Sequence, residues 1–437
     1  MFAPRLSRQI STETKCMEVY KFGGASINSL ERIENVVDIV KNSKPRPLLL
    51  VISAMGKTTN ALEKVAEAFF ENRQNDALQL FDQIKQQHLK TAKYLLVKEH
   101  HAFMAAFSDI CTEAEWLLHD NPVKGFDYYY DQIVCLGELF STLLVAHTFR
   151  EKGILAEWAD VRDILKTDDN FRDAGILWQE TIELTAKKLK PLLEAKKIVI
   201  TQGFIGCTDE NESTTLGREG SDYSAAIFAN LLCAEKVTIW KDVDAVLNAD
   251  PKQFPEALPM PVLSYDEVVE MAYYGAQVIH PKTMKPLYNA HIPLQVKSFI
   301  DPSLPGTIIA GNKQGPLPPI LIRKSKQVLL SFHTKDFSFV GEKPVGQWYA
   351  MLEKLHMRPN LTQNGAVQLM AVFDDHAEKI GQLAGEAESI FDVTVQKDLT
   401  LFTIRHYTPE SLQQYLGNKK PLLVQQTPET VQYLFAD

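Results

Sequence analysis

The chain has 437 residues, of which 45% are hydrophobic and 23% are charged, a composition typical of a globular protein with more than one domain. Its formal net charge of −9 argues against a general nucleic-acid or membrane-surface binder, because both surfaces attract basic proteins. The 5 cysteines include no C-x-x-C pair, which predicts reduced thiols, no zinc centre and a cytoplasmic location. We therefore expect small-molecule partners, with no nucleic acid and no membrane.

Residues 1–16 contain Arg5, Arg8 and Lys15 but no apolar stretch of signal-peptide length. We expect them to form a flexible N-terminal tail, with a transit peptide as the alternative. The longest clean apolar run in the chain, Leu48–Ile52, is far too short to span a bilayer.

After this tail the chain alternates twice between a strand, a polar turn and a helix. Met17–Phe22 predicts a strand that Gly23–Ser26 ends, and an amphipathic helix follows over residues 29–42. Leu48–Ile52 predicts a strand buried on both faces, and residues 53–60 form the turn into the next helix. This order is typical of an α/β fold around a parallel sheet.

A helical tract is predicted from about residue 61 to 150, where an apolar face ends at Glu138. A glutamate at such a place usually faces solvent, so its spacing alone gives it no role. Acidic residues also follow the predicted strand Lys236–Trp240, as Asp242 and Asp244. They lie where open α/β sheets bind ligands, although a role in shaping a turn also explains them. The other elements predicted in this half are strands at Leu155–Asp160 and Ile198–Phe204 and helices at 173–190 and 264–274.

The stretch from Ser213 to Ala226, S-T-T-L-G-R-E-G-S-D-Y-S-A-A, joins two glycines to an arginine and an aspartate. A glycine-rich turn that enters a helix leaves backbone N–H groups available to an anion. Arg218 adds a bidentate grip on a carboxylate or phosphate, and Asp222 either caps the helix or orients a nearby cation. Considered alone, the stretch is explained equally well as an ordinary capped loop.

The last part of the chain has a different pattern. Gly311–Pro319 has the composition of an interdomain linker, and short strands and helices alternate from residue 326 onwards. This alternation predicts two small βαββ-type units, the second abbreviated. The predicted strands are Val328–His333, a strand near Leu361, Val367–Phe373, Val393–Val395, Leu399–Arg405, Leu422–Gln425 and Val431–Phe435, and the helices are 345–356, 376–390 and 408–416.

Four motifs, taken in order, resemble the aspartokinase branch of the amino-acid kinase family. Any one of them is a weak signal, whereas the ordered set is specific. The motifs are Lys21–Ser26 (K-F-G-G-A-S), Thr214–Asp222 (T-T-L-G-R-E-G-S-D), Trp240–Asp244 together with Asn248–Pro251, and Tyr274–Pro281 (Y-G-A-Q-V-I-H-P).

The resemblance implies an amino-acid-kinase-type αβα sandwich around a mainly parallel sheet over residues 17–312, a linker at 313–325 and two ACT-like units over 326–437. It implies ATP-dependent phosphorylation of the side-chain carboxylate of L-aspartate to 4-phospho-L-aspartate, the first step towards lysine, threonine and methionine. ATP would bring Mg²⁺ held mainly by its phosphates, so no protein metal site is expected. The ACT-like region implies a homodimer.

The resemblance also implies roles for individual residues. Lys21 would contact the transferred phosphoryl group, Asp222 would hold that lysine, and Gly23 and Gly24 would cradle phosphate oxygens near Ser53. The remaining implied contacts are Arg218 with the α-carboxylate of aspartate, Glu138 with its α-ammonium, Thr59 and Ser221 with the same substrate, and Lys241, Asp242, Asp244 and Lys252 around the nucleotide.

The chain departs from the family pattern at several positions. Because Lys21, Glu138, Arg218 and Asp222 are retained, we expect catalysis to survive. Glu219 brings negative charge to an anion site, so we expect its side chain to point away. The departures are Ala25 for Thr, Glu219 for Gly, Lys241 for Thr, Ala245 for Gly, Lys252 for Arg and Gln277 for Lys.

In lysine-sensitive members, an acidic residue and a Ser-Glu pair in the first ACT unit help to bind the effector. Here Asn360 replaces the acid, and Gly365 with Ala366 replaces the pair. A lysine effector would lose its charge partner, so we expect weak or absent inhibition by lysine.

Two alternatives stay open. One is a sibling kinase that acts on glutamate, N-acetylglutamate, carbamate or a nucleotide. The other is a non-catalytic, amino-acid-binding regulatory protein on a kinase scaffold, which would bind ATP without turnover.

Overall fold

The computed structural model describes residues 17–43, 46–195, 197–311, 315–336, 338–417 and 419–436. The predicted tail and part of the predicted linker lie outside these ranges. The described residues group into two compact units. The N-terminal unit takes its residues from Met1–Val246, Pro259–Val269 and Ile279–Gln314, and the C-terminal unit from Leu247–Leu258, Glu270–Val278 and Gly315–Asp437.

The N-terminal unit contains the predicted parallel sheet. Its central strands are apolar runs buried on both faces, which is the pattern that a parallel sheet covered by helices requires. The strands of this unit are β1 (Glu18–Phe22), β2 (Leu48–Ile52), β3 (Ala156–Ala159), β4 (Ile198–Gln202), β5 (Ile205–Cys207), β6 (Ser213–Thr215), β7 (Lys236–Lys241), β8 (Val262–Ser264), β9 (Leu294–Ser298) and β10 (Thr307–Ala310). In the described residues the large sheet has the order β3-β4-β2-β1-β7-β9-β10-β8, with β9 and β10 antiparallel and the other neighbours parallel.

The register of the central strands brings their carboxyl ends to one edge. Lys21 of β1 lies opposite Val51 of β2 and Ile239 of β7, and Ile52 of β2 lies opposite Gln202 of β4. The turns after these four strands therefore meet at the edge where open parallel sheets bind ligands.

The helical tract predicted between residues 61 and 150 is confirmed, and its last helix, α6, is buried on all sides. The stretch Phe126–Glu151 is long and apolar enough to cross a membrane by length and composition, but 94% of its most apolar window is buried inside the protein, as in a core helix. The helices of this half are α1 (Leu30–Lys41), α2 (Thr58–Phe70), α3 (Gln74–Leu95), α4 (His100–His119), α5 (Phe126–Val134), α6 (Leu136–Glu151), α7 (Trp178–Leu184), α8 (Lys190–Glu194), α9 (Gly220–Leu231), α10 (Tyr265–Tyr274) and α11 (Pro281–Ala290).

The helix predicted over residues 173–190 is wrong at its start, since helix begins only at Trp178. The carboxylate of Asp168 accepts hydrogen bonds from the backbone N–H groups of Asn170 (3.2 Å) and Gly175 (2.8 Å), which holds this segment as a loop. The hairpin of β5 and β6 was not predicted, because each of its strands has three residues.

The C-terminal unit contains a six-stranded antiparallel sheet in the order β12-β13-β11-β14-β16-β15. The segments predicted as separate strands at Val393–Val395 and Leu399–Arg405 form one strand, and β11 begins earlier than predicted, at Ile320. Left-handed residues at Lys326 and Asp398 interrupt the alternation of both strands, which hid their continuity. The elements are β11 (Ile320–Thr334), α12 (Glu342–Lys354), β12 (Leu361–Asn364), β13 (Gln368–Asp374), α13 (Ala377–Ala387), β14 (Phe391–Arg405), α14 (Pro409–Leu416), β15 (Leu423–Gln426) and β16 (Thr430–Ala436).

Candidate active site

A cavity of about 520 Å³ lies in the N-terminal unit, at the edge where the carboxyl ends of the central strands meet. Side chains of both charge signs line it, which is unusual for a purely structural cleft. The residues that line it are Lys21, Ser53, Thr59, Tyr130, Glu138, Arg172, Phe204, Thr215, Gly217, Arg218, Glu219, Gly220, Ser221, Asp222 and Lys241.

Lys21 and Asp222 form an ion pair at this edge. Lys21 lies near the end of β1 and Asp222 in the first turn of α9, and Nζ is 2.7 Å from Oδ1. The side chains are 12% and 4% exposed, so water screens the pair little. The predicted contact is therefore present, with the lysine ammonium held in one position at the cavity wall.

Close backbone packing shapes the turns around this pair. A Cβ on Gly24 would lie 2.6 Å from the carbonyl oxygen of Ala54, so only glycine fits where the first two turns meet. A Cβ on Gly203 would lie 2.6 Å from Cβ of Ser221, and this glycine therefore lets α9 approach the end of β4. The sequence analysis did not single out Gly203.

Two serines link the second turn to α9. Ser53 Oγ donates to Ser221 Oγ at 2.9 Å, and the carbonyl of Ser53 accepts from Ser141 Oγ of α6 at 2.8 Å. Both hydroxyls that face the cavity are thus positioned by hydrogen bonds, and Thr59 at the start of α2 completes this wall.

Glu138 is the most unusual carboxylate of the site. Its side chain is buried, and Oε1 accepts a hydrogen bond from the backbone N–H of Ala54 at 3.1 Å. Oε2 is also buried and has no hydrogen-bond partner among the described residues. Burial raises the pKa of Glu138 to about 8, against the lowering effects of the Ala54 hydrogen bond and the Lys21 charge. A cationic group that entered the cavity would satisfy this oxygen and favour the ionised form.

The glycine-rich turn presents Arg218 to the cavity. Gly217 has φ +73°, and Lys282 fixes the turn by donating to the carbonyl of Leu216 at 3.0 Å. Glu219 also adopts a left-handed conformation, with φ +54°, and its carboxylate accepts from the backbone N–H of His280 at 2.9 Å. The Glu219 carboxylate is therefore stabilised by the N-terminus of α11, and the residue also lines the cavity.

Asp131 and Arg172 were missed by the sequence analysis. The buried Asp131 carboxylate accepts from the backbone N–H groups of Arg172 (2.9 Å) and Thr215 (2.8 Å) and from the Thr215 hydroxyl (2.7 Å). Burial raises the pKa of Asp131 to about 6, although those hydrogen bonds act to lower it. Arg172 lies 4.4 Å above the ring of Tyr130, so a second guanidinium reaches the cavity. The signal available in the sequence was an aspartate within an apolar helix face.

The predicted site residues do not all meet. The cavity brings together Lys21, Ser53, Thr59, Glu138, Arg218, Ser221, Asp222 and Lys241. Gly23 and Gly24 lie beside it in the turn after β1, and Asp242 and Asp244 are exposed in the loop after β7 without lining it. Lys252 is exposed and belongs to the C-terminal unit.

The arrangement is suited to binding molecules that carry both charge signs. Fixed cations and glycine N–H groups at the end of parallel strands stabilise phosphate oxygens, and a buried carboxylate with an unpartnered oxygen suits an ammonium. Within the ranges that the structure describes, no group of three or more His, Cys, Asp or Glu side chains could hold a metal ion.

Comparison with known proteins agrees with this class of site. The model of the amino acid kinase family matches residues 17–298. The lysine-sensitive aspartokinase 3 of Escherichia coli K12 is 34% identical over 318 residues, which are 72% of this chain and 69% of that protein. The chloroplastic bifunctional aspartokinase/homoserine dehydrogenase 1 of Zea mays is 34% identical over 307 residues, which are 68% of this chain but 33% of the maize protein. The chain thus spans about a third of the length of such bifunctional relatives.

The fold is also that of solved aspartokinases. Escherichia coli aspartokinase III has been solved with lysine and aspartate and with aspartate and ADP. Each structure is 27% identical, has a TM-score of 0.79, and matches over 96% of both chains. The chain therefore belongs to the amino acid kinase family. Within that family its relatives are the aspartokinases, and the predicted fold class, a mainly parallel sheet with a C-terminal ACT-like region, is confirmed.

Proposed function

We propose that this chain is an aspartate kinase, which phosphorylates the side-chain carboxylate of L-aspartate with ATP. A carboxylate oxygen of aspartate attacks the γ-phosphorus, the bond to the β–γ bridging oxygen breaks, and 4-phospho-L-aspartate and ADP are formed. The observation that carries the proposal is the buried Glu138 carboxylate, whose unpartnered oxygen lies in the same cavity as Arg218 and the Lys21–Asp222 pair. The aspartate and ADP present in the solved Escherichia coli relative support the same assignment.

The residues have distinct proposed roles. Glu138 receives the α-ammonium of aspartate and Arg218 receives its α-carboxylate, while Thr59 and Ser221 contact the same molecule. An amino acid is thereby recognised by both of its main-chain charges, and its side chain is left to face the phosphates. A substrate without a free ammonium would leave Glu138 buried without a partner.

The nucleotide phosphates fit the opposite side of this cluster. Lys21, held by Asp222, neutralises charge on the transferred phosphoryl group, and the N–H groups of Gly23 and Gly24 contact phosphate oxygens. A Cβ has no space at Gly24, and a turn without side chains lets phosphate oxygens approach the backbone closely. Bound ATP would supply Mg²⁺ through its phosphates and water. Five further residues are predicted to contact the nucleotide: Ser53, Lys241, Asp242, Asp244 and Lys252.

The direct test is ATP-dependent trapping of an acyl phosphate with hydroxylamine. L-Aspartate is compared with N-acetyl-L-aspartate, which lacks the ammonium, and with L-glutamate and N-acetyl-L-glutamate. Product with L-aspartate alone is expected, and parallel wells with lysine or threonine report effector sensitivity. Binding of ATP without product from any of these acids would contradict the proposal and favour a regulatory protein on a kinase scaffold.

We also propose that the chain forms a cytoplasmic homodimer through its C-terminal unit and serves lysine, threonine and methionine biosynthesis. The edge strands β12 and β15 each have one unpaired side within the described sheet, which suits strand pairing with a second copy. The free thiols of Cys111, Cys135 and Cys207 are buried and suit a reducing compartment. Light scattering of the full chain at micromolar concentration tests the dimer, and a monomeric mass would exclude it.

A further inference from the structure

A second cavity, of about 630 Å³, lies entirely within the C-terminal unit. We propose that it binds a small anion that carries an aromatic ring. It is formed on the face of the sheet where Phe402 and Leu416 share a core, next to α14 and the segment Leu247–Leu258. The residues that line it are Phe254, Arg323, Thr400, Phe402, Tyr415, Lys419, Lys420, Leu422, Phe435 and Ala436.

Aromatic rings form the apolar part of this pocket. Phe254 stacks on Phe402 with ring centroids 6.0 Å apart and an angle of 22° between the planes. Tyr415 meets both rings edge-on, at 6.1 and 6.3 Å. Phe402 and Phe435 are 6% and 8% exposed, so the strands fix their positions. Such a surface stabilises a further planar ring by stacking or edge contact.

Cations form the polar part. Arg323 of β11 lies opposite Phe402 of β14, and Lys419 and Lys420 follow α14. The ammonium of Lys419 lies 5.5 Å from the centre of the Phe435 ring, which directs one charge over the aromatic surface. Charge and ring are therefore adjacent in the same pocket.

Among the residues that the structure describes, no acidic side chain forms an ion pair with these cations. None of the ten lining residues is acidic, and none of the ion pairs found among the described residues involves Arg323, Lys419 or Lys420. Glu256 lies near Tyr415, where burial and that carboxylate raise the pKa of the phenol, but it does not line the pocket. Three cations that have no ion pair among the described residues, in a chain of net charge −9, create a local field that attracts an anion.

The ligand chemistry follows from these two parts. The volume lies within the usual range of small-molecule sites, about 300–1,000 Å³. Arg323 offers a fork of donors for a phosphate or carboxylate, and the lysines add charge. Aryl phosphates, aryl carboxylates and nucleoside monophosphates share this chemistry, so the test separates them.

The test is calorimetric titration of the full chain with phenyl phosphate, inorganic phosphate, phenylpyruvate and AMP. Phenyl phosphate is expected to bind at least about tenfold more tightly than inorganic phosphate, because only the first fills both parts of the pocket. The double variant Lys419→Gln with Lys420→Gln should weaken binding at least about tenfold. The matched control, Lys379→Gln with Lys397→Gln, removes two charges from the same unit outside the pocket. It should leave the affinity for phenyl phosphate unchanged. Tyr415→Leu, at a half-buried ring, should weaken phenyl phosphate more than inorganic phosphate.

The readout is binding and is independent of kinase activity, so it does not depend on the proposed function. The affinities for phenylpyruvate and AMP, compared with that for phenyl phosphate, show whether the pocket prefers an aryl carboxylate, a nucleotide or an aryl phosphate. Binding of phenyl phosphate that is lost in Arg218→Ala and retained in the pocket variants would assign the anion to the cavity of the N-terminal unit and overturn the proposal. No binding of any aromatic anion at about 10 mM, or equal weakening by the pocket and control variants, would also overturn it.

Discussion

The two cavities are similar in size but differ in how they hold charge. The cavity of the N-terminal unit, about 520 Å³, joins four cationic side chains to three acidic ones, and one of its cations, Lys21, is paired with Asp222 at 2.7 Å. The C-terminal pocket, about 630 Å³, joins three cations to four aromatic rings and has no acidic lining residue. The first cavity therefore offers both positive and negative side chains to a ligand, whereas the second offers only positive side chains beside an apolar surface.

This difference shows what each kind of ligand requires. The proposed ligands of the first cavity, a zwitterionic amino acid and a polyphosphate, need fixed groups of both signs, and the amino acid's ammonium would pair with the Glu138 oxygen that has no partner among the described residues. A single anion with an aromatic ring needs only cations and an apolar surface, so its pocket requires no acidic side chain. The two cavities should accordingly respond to different substitutions.

The largest effect is expected for Lys21→Ala in the cavity of the N-terminal unit. Loss of the ammonium removes charge stabilisation of the transferred phosphoryl group, so turnover should fall by about 10²–10³-fold or more. The steady-state rate with L-aspartate is measured beside Lys57→Ala, an exposed lysine in the next turn that should behave as wild type. Because Asp222 loses its partner, thermal unfolding of each variant is recorded to separate chemistry from folding. A near-normal rate would remove Lys21 from the site.

Glu138→Gln tests the role of the buried carboxylate in substrate binding. The variant keeps an oxygen for the Ala54 N–H but cannot pair with an ammonium, so the KM for aspartate should rise at least about tenfold. In the wild type, KM should fall as pH rises from 6 towards 8, because Glu138, with its pKa raised to about 8, must ionise to bind the ammonium. The variant should lose this dependence. Glu67→Gln, exposed on α2, is the control, and an unchanged KM in Glu138→Gln would contradict the assignment.

The same side chain predicts how stability varies with pH. The carboxyl of Glu138 has a pKa of about 8 when folded and 4.5 as its ordinary value, so the folded state holds the extra proton between these limits. The free energy of unfolding should therefore contain a contribution that falls as pH rises from 4.5 to 8. Urea unfolding of wild type and Glu138→Gln across this range measures it, and identical slopes would show that the carboxyl is not buried in solution.

Asn360→Asp tests a lysine contact of the C-terminal unit. Lys324 Nζ donates to Asn360 Oδ1 at 2.8 Å, and Asn360 Nδ2 donates to Gln327 (2.7 Å) and Asp374 (3.1 Å). An acid here would gain the lysine but face the Asp374 carboxylate and lose both donated bonds, so stability should fall by about 1–3 kcal/mol. Urea unfolding measures this, with Asn364→Asp on the exposed end of β12 as the control. A more stable Asn360→Asp would show that the position still favours an acid.

The smallest effect is expected at Glu219, where a glutamate occupies the left-handed position with φ +54°. Glu219→Gly and Glu219→Ala both remove the carboxylate that accepts from His280, but only glycine relieves the backbone. Glu219→Gly should therefore be more stable than Glu219→Ala by about 1 kcal/mol, measured by thermal unfolding. Equal stabilities would show that the turn relaxes to another conformation.

Local pattern predicted much of the fold, because short apolar runs between turns, such as Leu48–Ile52, are typical of strands buried on both faces. The contact between Lys21 and Asp222 was implied by a family resemblance. The spacing of these residues in the sequence could not have predicted it. What was missed depends on long-range contacts. Asp131 binds backbone groups 41 and 84 residues away, so its role follows from where the loop at Arg172 and the hairpin strand β6 pack. An aspartate within an apolar helix face is a local signal, but it does not specify these distant partners.

The two long strands of the C-terminal sheet have a consequence for its cooperativity. β11 and β14 each run for 15 residues and pair with one another. β13 pairs with β11 over Gln327–His333, at one end of this long pair, and β16 pairs with β14 over Leu399–Arg405, at the other end. Each end has its own hydrophobic core, yet both cores are built on the same two strands. Opening one end would leave the other with unpaired strands, so backbone amides in β13 and β16 should exchange with deuterium at similar rates, as parts of one unfolding unit.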